Sequence, residues 1–468
     1  MMWILRACLA ALLVTTACAL PPIAPLPPVT PPLHTLVFHV YNRAGAPVEG
    51  IAGVLRPDLY PAIACIVEEA GVVICPLTIQ TGGAYVDLGA PGYKPATYRL
   101  ILPLTDTTFE DSVLDAAVEP LQRLSVSGRR MQREDGTTFA WQGITAFQLA
   151  DDVADGREAK AIALMDWAAA NNVTILRVLV MANGLFQLNP MDGRAALPRV
   201  LELAAQRGLY VEVVALADTK SYQFDHRMHL SQIGHICTLN SACAAVEIAN
   251  EPRHATQDNI VGNPTYLASL RALIPANIPV AYGASHGPSD ESLDFAGGDY
   301  VTVHASRAGG DDGWRWVRHA REIQAQRDNH HGKFVVNDEP DRKAPFTDQH
   351  LALGLLMRIY GVGDTVHLAS LRFDDIPTGA ELQAFNARKQ AWALVPDDMS
   401  GGRYTAGHLA DSPVKVTESE VLRAYSSLIG NSGYTVMIKV TGSAATRWRQ
   451  PHKLLFELGL TQFYSVNR

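Results

Sequence analysis

The spacing of apolar and polar positions differs between successive regions of this chain. From residue 33 to 105, short runs rich in Val, Ile, Leu and aromatic residues alternate with turn-forming residues, as at positions 36–41, 71–75 and 98–102. Short strands separated by turn signals are typical of two small packed sheets. We therefore predict a small all-β sandwich domain for this region.

From residue 120 to 398, strand-like apolar runs alternate with helix-like segments such as 157–170 and 195–206. Repeated βα units predict an α/β fold in which eight parallel strands close into a (β/α)8 TIM barrel. Residues 399–468 contain β-rich runs around a glycine turn, which predict a C-terminal extension packed on the barrel. The eight predicted barrel strands are 138–146, 173–180, 209–216, 245–249, 279–282, 300–304, 334–337 and 365–370.

The first 32 residues predict export. Arg6, an apolar stretch and small residues before Cys18 are typical of a signal segment over residues 1–18. The end of this segment resembles a bacterial lipoprotein signal, which implies that Cys18 carries lipid; plain secretion is the alternative. Seven prolines then enforce extended geometry in a linker at 19–32. We expect an exported protein that contacts the membrane only through this lipid anchor.

Four cysteines remain after the signal segment and Cys18 are set aside. An even number of cysteines in an exported chain predicts two local disulfides, with buried free thiols as the alternative. The expected pairs are Cys65 with Cys75 and Cys237 with Cys243.

Charge and spacing argue against several classes of partner. The net charge is −8 and no basic block occurs, so we expect no nucleic-acid partner. Neither cysteine pair has the spacing of a zinc knuckle, and the adjacent His330 and His331 need not converge. We predict no metal and no cofactor.

Two apolar runs end in an acidic residue that is followed at once by proline, in Asn250-Glu251-Pro252 and in Asp338-Glu339-Pro340. The C-terminal ends of barrel strands surround one mouth, so Glu251 and Glu339 are expected to face each other. An acid and a nucleophilic carboxylate about 5–5.5 Å apart perform retaining glycoside hydrolysis. The alternative for Glu251 is a helix-starting residue. Asp338 competes with Glu339, because strand alternation lets only one of them face the mouth.

With these motifs, residues 135–395 resemble the clan A glycoside hydrolases, the (β/α)8 barrels that include the family 5 cellulases and mannanases. The resemblance implies that Glu251 is the acid/base on strand four and that Glu339 is the nucleophile on strand seven. Asn250 precedes the acid/base, and its amide is expected to bind a sugar 2-hydroxyl.

Strands two, six and eight refine this resemblance. Arg177 lies in an apolar strand two and resembles the clan's arginine that keeps the nucleophile ionised; a salt bridge at the barrel bottom is the alternative. Many family 5 members have a tyrosine on strand six, where this chain has His304, and strand eight lacks the clan's tryptophan. The resemblance therefore applies at the level of the clan.

Further substrate contacts are expected near the strand ends. His304 and His286 are candidates for binding sugar hydroxyls or orienting a glutamate, with a plain structural role as the alternative. Asp218 ends strand three and is a candidate for hydroxyl binding or for a helix cap. Stacking against the sugar is expected from an aromatic side chain, although core packing is the alternative for each candidate. The candidates are Trp314, Phe186, Tyr222 and Phe373.

Residues 40–48, together with Gly92-Tyr93, resemble the transthyretin-like regulatory modules found beside exported hydrolases, which implies an accessory role. The sequence as a whole predicts an exported retaining glycosidase that cleaves a poly- or oligosaccharide by double displacement. One alternative is a non-catalytic glycan-binding barrel of the cell envelope. The other is a metal-dependent barrel hydrolase, which needs clustered strand-end histidines and aspartates.

Overall fold

A computed structural model describes residues 34–394 with gaps. The signal segment with Cys18, the proline-rich linker, residues 399–468 and the predicted site residues His286 and Trp314 lie outside the described residues, as does Phe373. The gaps are residues 43, 78, 80–81, 103, 105–107, 115–120, 285–294, 305–331, 340–349, 351–353, 355–356, 359–360 and 369–374.

Two four-stranded sheets occupy the N-terminal region that was expected to be β-rich. Their strand orders are β4-β5-β1-β8 and β3-β2-β6-β7, and side chains from both sheets form one apolar core. Their likeness to transthyretin-like modules stays a prediction. The strands are β1 (His34–Asn42), β2 (Ala52–Pro57), β3 (Ile63–Ala64), β4 (Ile66–Glu69), β5 (Val72–Leu77), β6 (Gly82–Gly89), β7 (Ala96–Leu102) and β8 (Thr108–Leu114).

Eight parallel strands form the second unit, in the order β15-β14-β13-β12-β11-β18-β17-β16. Because β15 and β16 also lie side by side, the sheet nearly closes on itself, as a (β/α)8 barrel does. Each strand overlaps one of the eight predicted apolar runs. The strands are β11 (Gln142–Thr145), β12 (Ile175–Leu179), β13 (Tyr210–Leu216), β14 (Cys243–Ala249), β15 (Val280–Ala281), β16 (Tyr300–Val303), β17 (Phe334–Asn337) and β18 (Gly363–Val366).

The bottom of the barrel, at the N-terminal ends of its strands, is closed. A hairpin of β9 (Leu124–Ser127) and β10 (Arg130–Arg133) packs Leu124 and Met131 against aromatic side chains at the starts of the barrel strands. This packing leaves the opposite end, at the C-termini of the strands, as the mouth in which side chains can meet a substrate.

Six described helices belong to the barrel region. Asn189, Asp225 and Asn263 cap three of them by accepting hydrogen bonds from the first backbone N–H groups. These caps fix where each helix leaves its loop at the mouth. The helices are α1 (Leu149–Ala154), α2 (Glu158–Ala170), α3 (Pro190–Ala205), α4 (His226–Leu239), α5 (Pro264–Arg271) and α6 (Gly379–Leu394).

Close packing at Gly193 holds α3 against the end of β12. A Cβ atom at this position would lie 1.7 Å from the carbonyl oxygen of Val180, so only glycine permits the approach. The described helices include none that is both long and apolar enough to span a bilayer.

Helix α4 joins the N-terminal sheets to the barrel. The Gln232 amide on α4 donates hydrogen bonds to the backbone oxygens of Pro57 and Tyr60, each at 2.8 Å. A disulfide between Cys237 and Cys243 ties the end of α4 to the start of β14, and Cys65 pairs with Cys75 in the sheets. Both predicted disulfides are therefore confirmed.

Candidate active site

The barrel interior changes from apolar to charged along the strands. At the bottom, Ile175 of β12 and Tyr210 of β13 pack in one apolar cluster. Two residues further along these strands, the alternation of side chains places Arg177 and Glu212 inside the barrel. Glu247 of β14 lies two residues beyond Ala245, the register partner of Glu212, and all three acidic and basic side chains are at most 1% exposed.

Arg177 makes four hydrogen bonds in this interior. Its Nε and Nη2 donate to Glu247 Oε2 at 2.9 and 2.7 Å, and Nη2 also donates to Asn250 Oδ1 at 2.9 Å. Its Nη1 donates to Glu339 Oε1 at 2.9 Å. Burial by itself lowers the pKa of Arg177, but the surrounding carboxylates, Glu247 foremost, raise that pKa well above its ordinary value. The guanidinium therefore lies beside the predicted nucleophile, away from the barrel bottom.

His304 links the two predicted catalytic carboxyl groups. Its Nδ1 lies 2.9 Å from Glu251 Oε1, and its Nε2 lies 3.3 Å from Asp338 Oδ1 and 3.8 Å from Glu339 Oε1. Burial by itself lowers the pKa of His304, but the charges of Glu339 and Asp338 and contacts with Asp338 and Glu251 raise this pKa to about 10. The imidazole therefore carries a positive charge near neutral pH.

Glu251 and Glu339 approach each other across the mouth. One carboxylate oxygen of each, together with a ring nitrogen of His304, lie within 4.8 Å of one another. Glu251 is 8% exposed and Glu339 is 4% exposed. A molecule in the mouth can therefore touch either carboxyl group only by packing closely against it. The backbone of Glu251 has a φ of +45°, in the left-handed region that non-glycine residues rarely adopt, and such strain is concentrated at functional positions.

Asp338 and Glu339 both contact Arg177. Asp338 Oδ2 lies 3.2 Å from Arg177 Nε, while Glu339 Oε1 accepts from Nη1. Which of the two faces the mouth stays a prediction, but both carboxyl groups turn towards the barrel interior. The reason is that β17 ends at Asn337, so the alternation of an extended strand no longer applies to the two acidic residues.

Four further residues of the site were not assigned from the sequence. Tyr300 donates a hydrogen bond to Glu212 Oε1 at 2.6 Å, and burial raises the pKa of Glu212 to about 8. Burial also raises the pKa of Glu247 well above its ordinary value, although Arg177 opposes this. His367, after β18, has Nε2 at 3.9 Å from Glu339 Oε2. A charged residue inside an apolar strand is the sequence signal that marks Glu212 and Glu247, as it marks Arg177.

Asp218 stabilises a loop of the mouth. Its Oδ2 accepts hydrogen bonds from the backbone N–H groups of Asn183 and Gly184, at 2.9 and 3.0 Å. Its side chain makes no helix-capping hydrogen bond. Tyr222, a stacking candidate, donates its hydroxyl to the Ala182 carbonyl oxygen at 2.8 Å in the same loop. The structure therefore brings Asp218 to loop residues, and its contact with substrate stays a prediction.

Two sets of three side chains are close enough to consider for metal binding among the described residues. They are Glu247, His304 and Asp338, and Glu251, His304 and Glu339. Their sequence separation is large, so spacing alone gave no sign of them. Both sets share His304, whose Nδ1 contacts Glu251, and Arg177 already supplies positive charge to Glu247 and Glu339. We treat these groups as ion-paired side chains and assign no metal ligand.

Comparison with known proteins gives distant similarities. The chain matches no family model and no curated protein. A β-glucanase from Saccharophagus degradans is 14% identical over 58% of this chain and 94% of its own, with a TM-score of 0.45. A glycoside hydrolase is 13% identical over 57% and 73%, with a TM-score of 0.44. The β-mannanase of Thermomonospora fusca is 12% identical over 60% and 100%, with a TM-score of 0.43. These likenesses are too distant to assign chemistry, which rests on the side chains.

Proposed function

We propose that this protein is a retaining glycoside hydrolase that cleaves O-glycosidic bonds in a poly- or oligosaccharide by double displacement. The observation that carries the proposal is the approach of Glu251 and Glu339, which have carboxylate oxygens within 4.8 Å of each other. Retaining enzymes separate their carboxyl groups by about 5–5.5 Å, whereas inverting enzymes need about 6.5–9.5 Å to admit a water molecule.

In the first step, Glu339 attacks the anomeric carbon while Glu251 gives its proton to the leaving oxygen. Arg177 Nη1 donates to Glu339 Oε1 at 2.9 Å, which favours the ionised form that a nucleophile needs. Asn250 Oδ1 accepts from the same guanidinium, which directs the amide nitrogen of Asn250 away from Arg177 and towards a sugar 2-hydroxyl.

In the second step, the Glu251 carboxylate takes a proton from water. The water oxygen bonds to the anomeric carbon and the ester bond to Glu339 breaks, so both glutamates return to their starting states. The two inversions at carbon give net retention.

The test begins with a panel of aryl glycosides and polysaccharides, followed by NMR of the first product anomer. A 2-deoxy-2-fluoro glycoside of the accepted sugar, with a 2,4-dinitrophenolate leaving group, then traps the covalent intermediate for peptide mass spectrometry. We expect the label on Glu339, retention at carbon, and a loss of about 10³-fold or more in Glu339→Gln.

A matched control is Glu158→Gln, which removes a glutamate that pairs with Arg199 on the outer helices. This variant should keep wild-type activity. A label on Asp338, an inverted product, or equal cleavage by wild type and Glu339→Gln would each contradict the assignment. Binding of glycans without cleavage of any member of the panel would favour a non-catalytic glycan-binding barrel.

We also infer that the protein is exported and anchored by lipid on Cys18. The two disulfides support export, because such bonds persist in oxidising compartments. Labelling with radioactive palmitate in a bacterial host should mark the wild type but not Cys18→Ser. Incorporation of equal label in both proteins would refute the anchor, and retention of both in the cytoplasm would refute export.

A further inference from the structure

Asp338 is a second buried acidic residue directly beside the proposed nucleophile, and the two-step reaction leaves it without a role. It is 0% exposed. Neither of its carboxylate oxygens has a hydrogen-bond partner among the described residues, although both lie beside cations. Oδ2 is 3.2 Å from Arg177 Nε and Oδ1 is 3.3 Å from His304 Nε2. Burying a carboxylate costs free energy unless nearby opposite charges compensate for the lost hydration, and here Arg177 and His304 supply those charges.

We propose that Asp338 is a positioning residue that keeps His304 charged and so aims the proton of Glu251 at the leaving oxygen. This role rests on the proposed hydrolase function. The geometry that supports it is a line of three side chains from different strands, Glu251 after β14, His304 after β16 and Asp338 after β17. His304 stands in the middle and offers one ring nitrogen to each carboxyl group.

The contact with Asp338 decides what Nδ1 of His304 can do. While Nε2–H faces Asp338 and the ring is charged, Nδ1 also carries hydrogen and donates it to Glu251 Oε1. The proton of Glu251 is then excluded from Oε1 and is carried by Oε2, the oxygen that the proposal assigns to the leaving group. A neutral ring with a bare Nδ1 would instead attract that proton to Oε1 and turn it away from the leaving oxygen. In Ser-His-Asp triads an aspartate likewise orients an imidazole and stabilises its charged form.

His304 keeps its proton throughout this scheme, so the reaction needs no additional proton acceptor. Glu251 loses a proton to the leaving oxygen in the first step and regains one from water in the second. The charged ring stabilises the Glu251 carboxylate that exists between the two steps. The described charged groups around His304 are Glu251, Asp338, Glu339, Arg177, Glu212 and Glu247.

The first test is spectroscopic and needs no substrate. Imidazole nitrogen-15 shifts of His304, assigned by the peaks that vanish in His304→Gln, report whether both ring nitrogens carry hydrogen. We expect two N–H groups on His304 from about pH 5 to about pH 8 in the wild type. In Asp338→Asn, which keeps the side-chain size but loses the charge, His304 should lose a proton within this range. Unchanged spectra in a folded Asp338→Asn protein would overturn the proposal.

The second test compares leaving groups across pH. For Asp338→Asn, we expect kcat/KM on glycosides with poor leaving groups to fall about 30-fold at about pH 8, which is less than the roughly 10²–10⁴-fold that a complete loss of proton donation would cost. The loss should be small at about pH 5, where His304 regains its charge. Cleavage of 2,4-dinitrophenyl glycosides, which need no proton, should change little at either pH. An equal loss for both substrate classes at both pH values would mean a merely structural role.

Asp364→Asn is the matched control, because Asp364 is also 0% exposed and lies 3.3 Å from Arg388, on the neighbouring strand β18. It should leave the His304 spectrum and the pH dependence unchanged, even if it lowers stability. A change in either would overturn the specific link to Asp338. If the wild type cleaves no glycoside, the proposed function fails and the proton-aiming role fails with it, while the spectra still decide whether Asp338 keeps His304 charged.

Discussion

Replacing Arg177 by methionine tests whether one buried cation holds the carboxylates of the barrel mouth together. Methionine keeps an unbranched side chain but removes the positive charge and all five N–H donors. The change deprives Glu247, Asp338 and Glu339 of the guanidinium that contacts each of them. Removing one partner of a buried ion pair costs about 3–5 kcal/mol. Because three carboxylates lose the same cation, we expect about 4–5 kcal/mol at neutral pH.

The loss should depend on pH in a defined direction. Arg177 lowers the pKa of Glu247 and of Glu212 in the folded protein, against the larger opposing effect of burial. The stabilisation by Arg177 is therefore greatest where these carboxylates are ionised, and it is lost as the pH falls and they take up protons. We expect the difference between wild type and Arg177→Met to be larger at about pH 8 than at about pH 4.5.

The assay is denaturant unfolding followed by near-ultraviolet circular dichroism, because Trp141 and Trp392 are buried in the barrel region. Arg177→Lys keeps the positive charge but lacks the planar guanidinium, so its stability should lie between those of the wild type and Arg177→Met. An Arg177→Met protein that unfolds at the wild-type denaturant concentration at about pH 8 would refute the reasoning. Equal losses of stability at both pH values would refute the electrostatic explanation.

Three further changes have expected outcomes. The folded-state pKa of Glu212 is raised from 4.5 to about 8. Its contribution to stability is therefore fully present below pH 4.5 and is lost as the pH rises through about 8. Glu212→Gln should flatten the decline of the melting temperature between these two pH values. Gly193→Ala forces a methyl group against the Val180 carbonyl oxygen, and calorimetry should show a loss of about 2–3 kcal/mol. Replacing Cys237 and Cys243 by serine opens a short loop, and chemical denaturation should show a loss of about 2 kcal/mol.

The barrel could be predicted because its strands are buried on both faces and appear in the sequence as nearly continuous apolar runs. All positions of β12, β13 and β14 are buried, and each strand lies within or overlaps its predicted run. The match is less close at β15, which is only two residues long, and at β18, which begins two residues before its predicted run. The two disulfides followed from an even cysteine count and short spacing.

Apart from Arg177, which lies within β12, the site was predicted where residues occur at strand ends. Glu251, Glu339, Asn250 and His304 stand directly after or within such ends, and the structure brings them together around Arg177. The interior partners escaped prediction for a physical reason. Which side chains meet inside a barrel depends on the relative register of strands far apart in sequence, such as the contact of Tyr300 with Glu212, and a single sequence does not specify that register.

The left-handed backbone of Glu251 places selection for activity and selection for stability in opposition at one position. Glycine adopts such a φ without strain, so Glu251→Gly relieves about 1 kcal/mol while removing the proposed acid. A library screened only for heat resistance would therefore enrich inactive proteins at this codon. Lineages that retain glutamate here under thermal stress must be retaining it for chemistry, and engineering of a hardier enzyme should hold this residue fixed and seek its stability elsewhere.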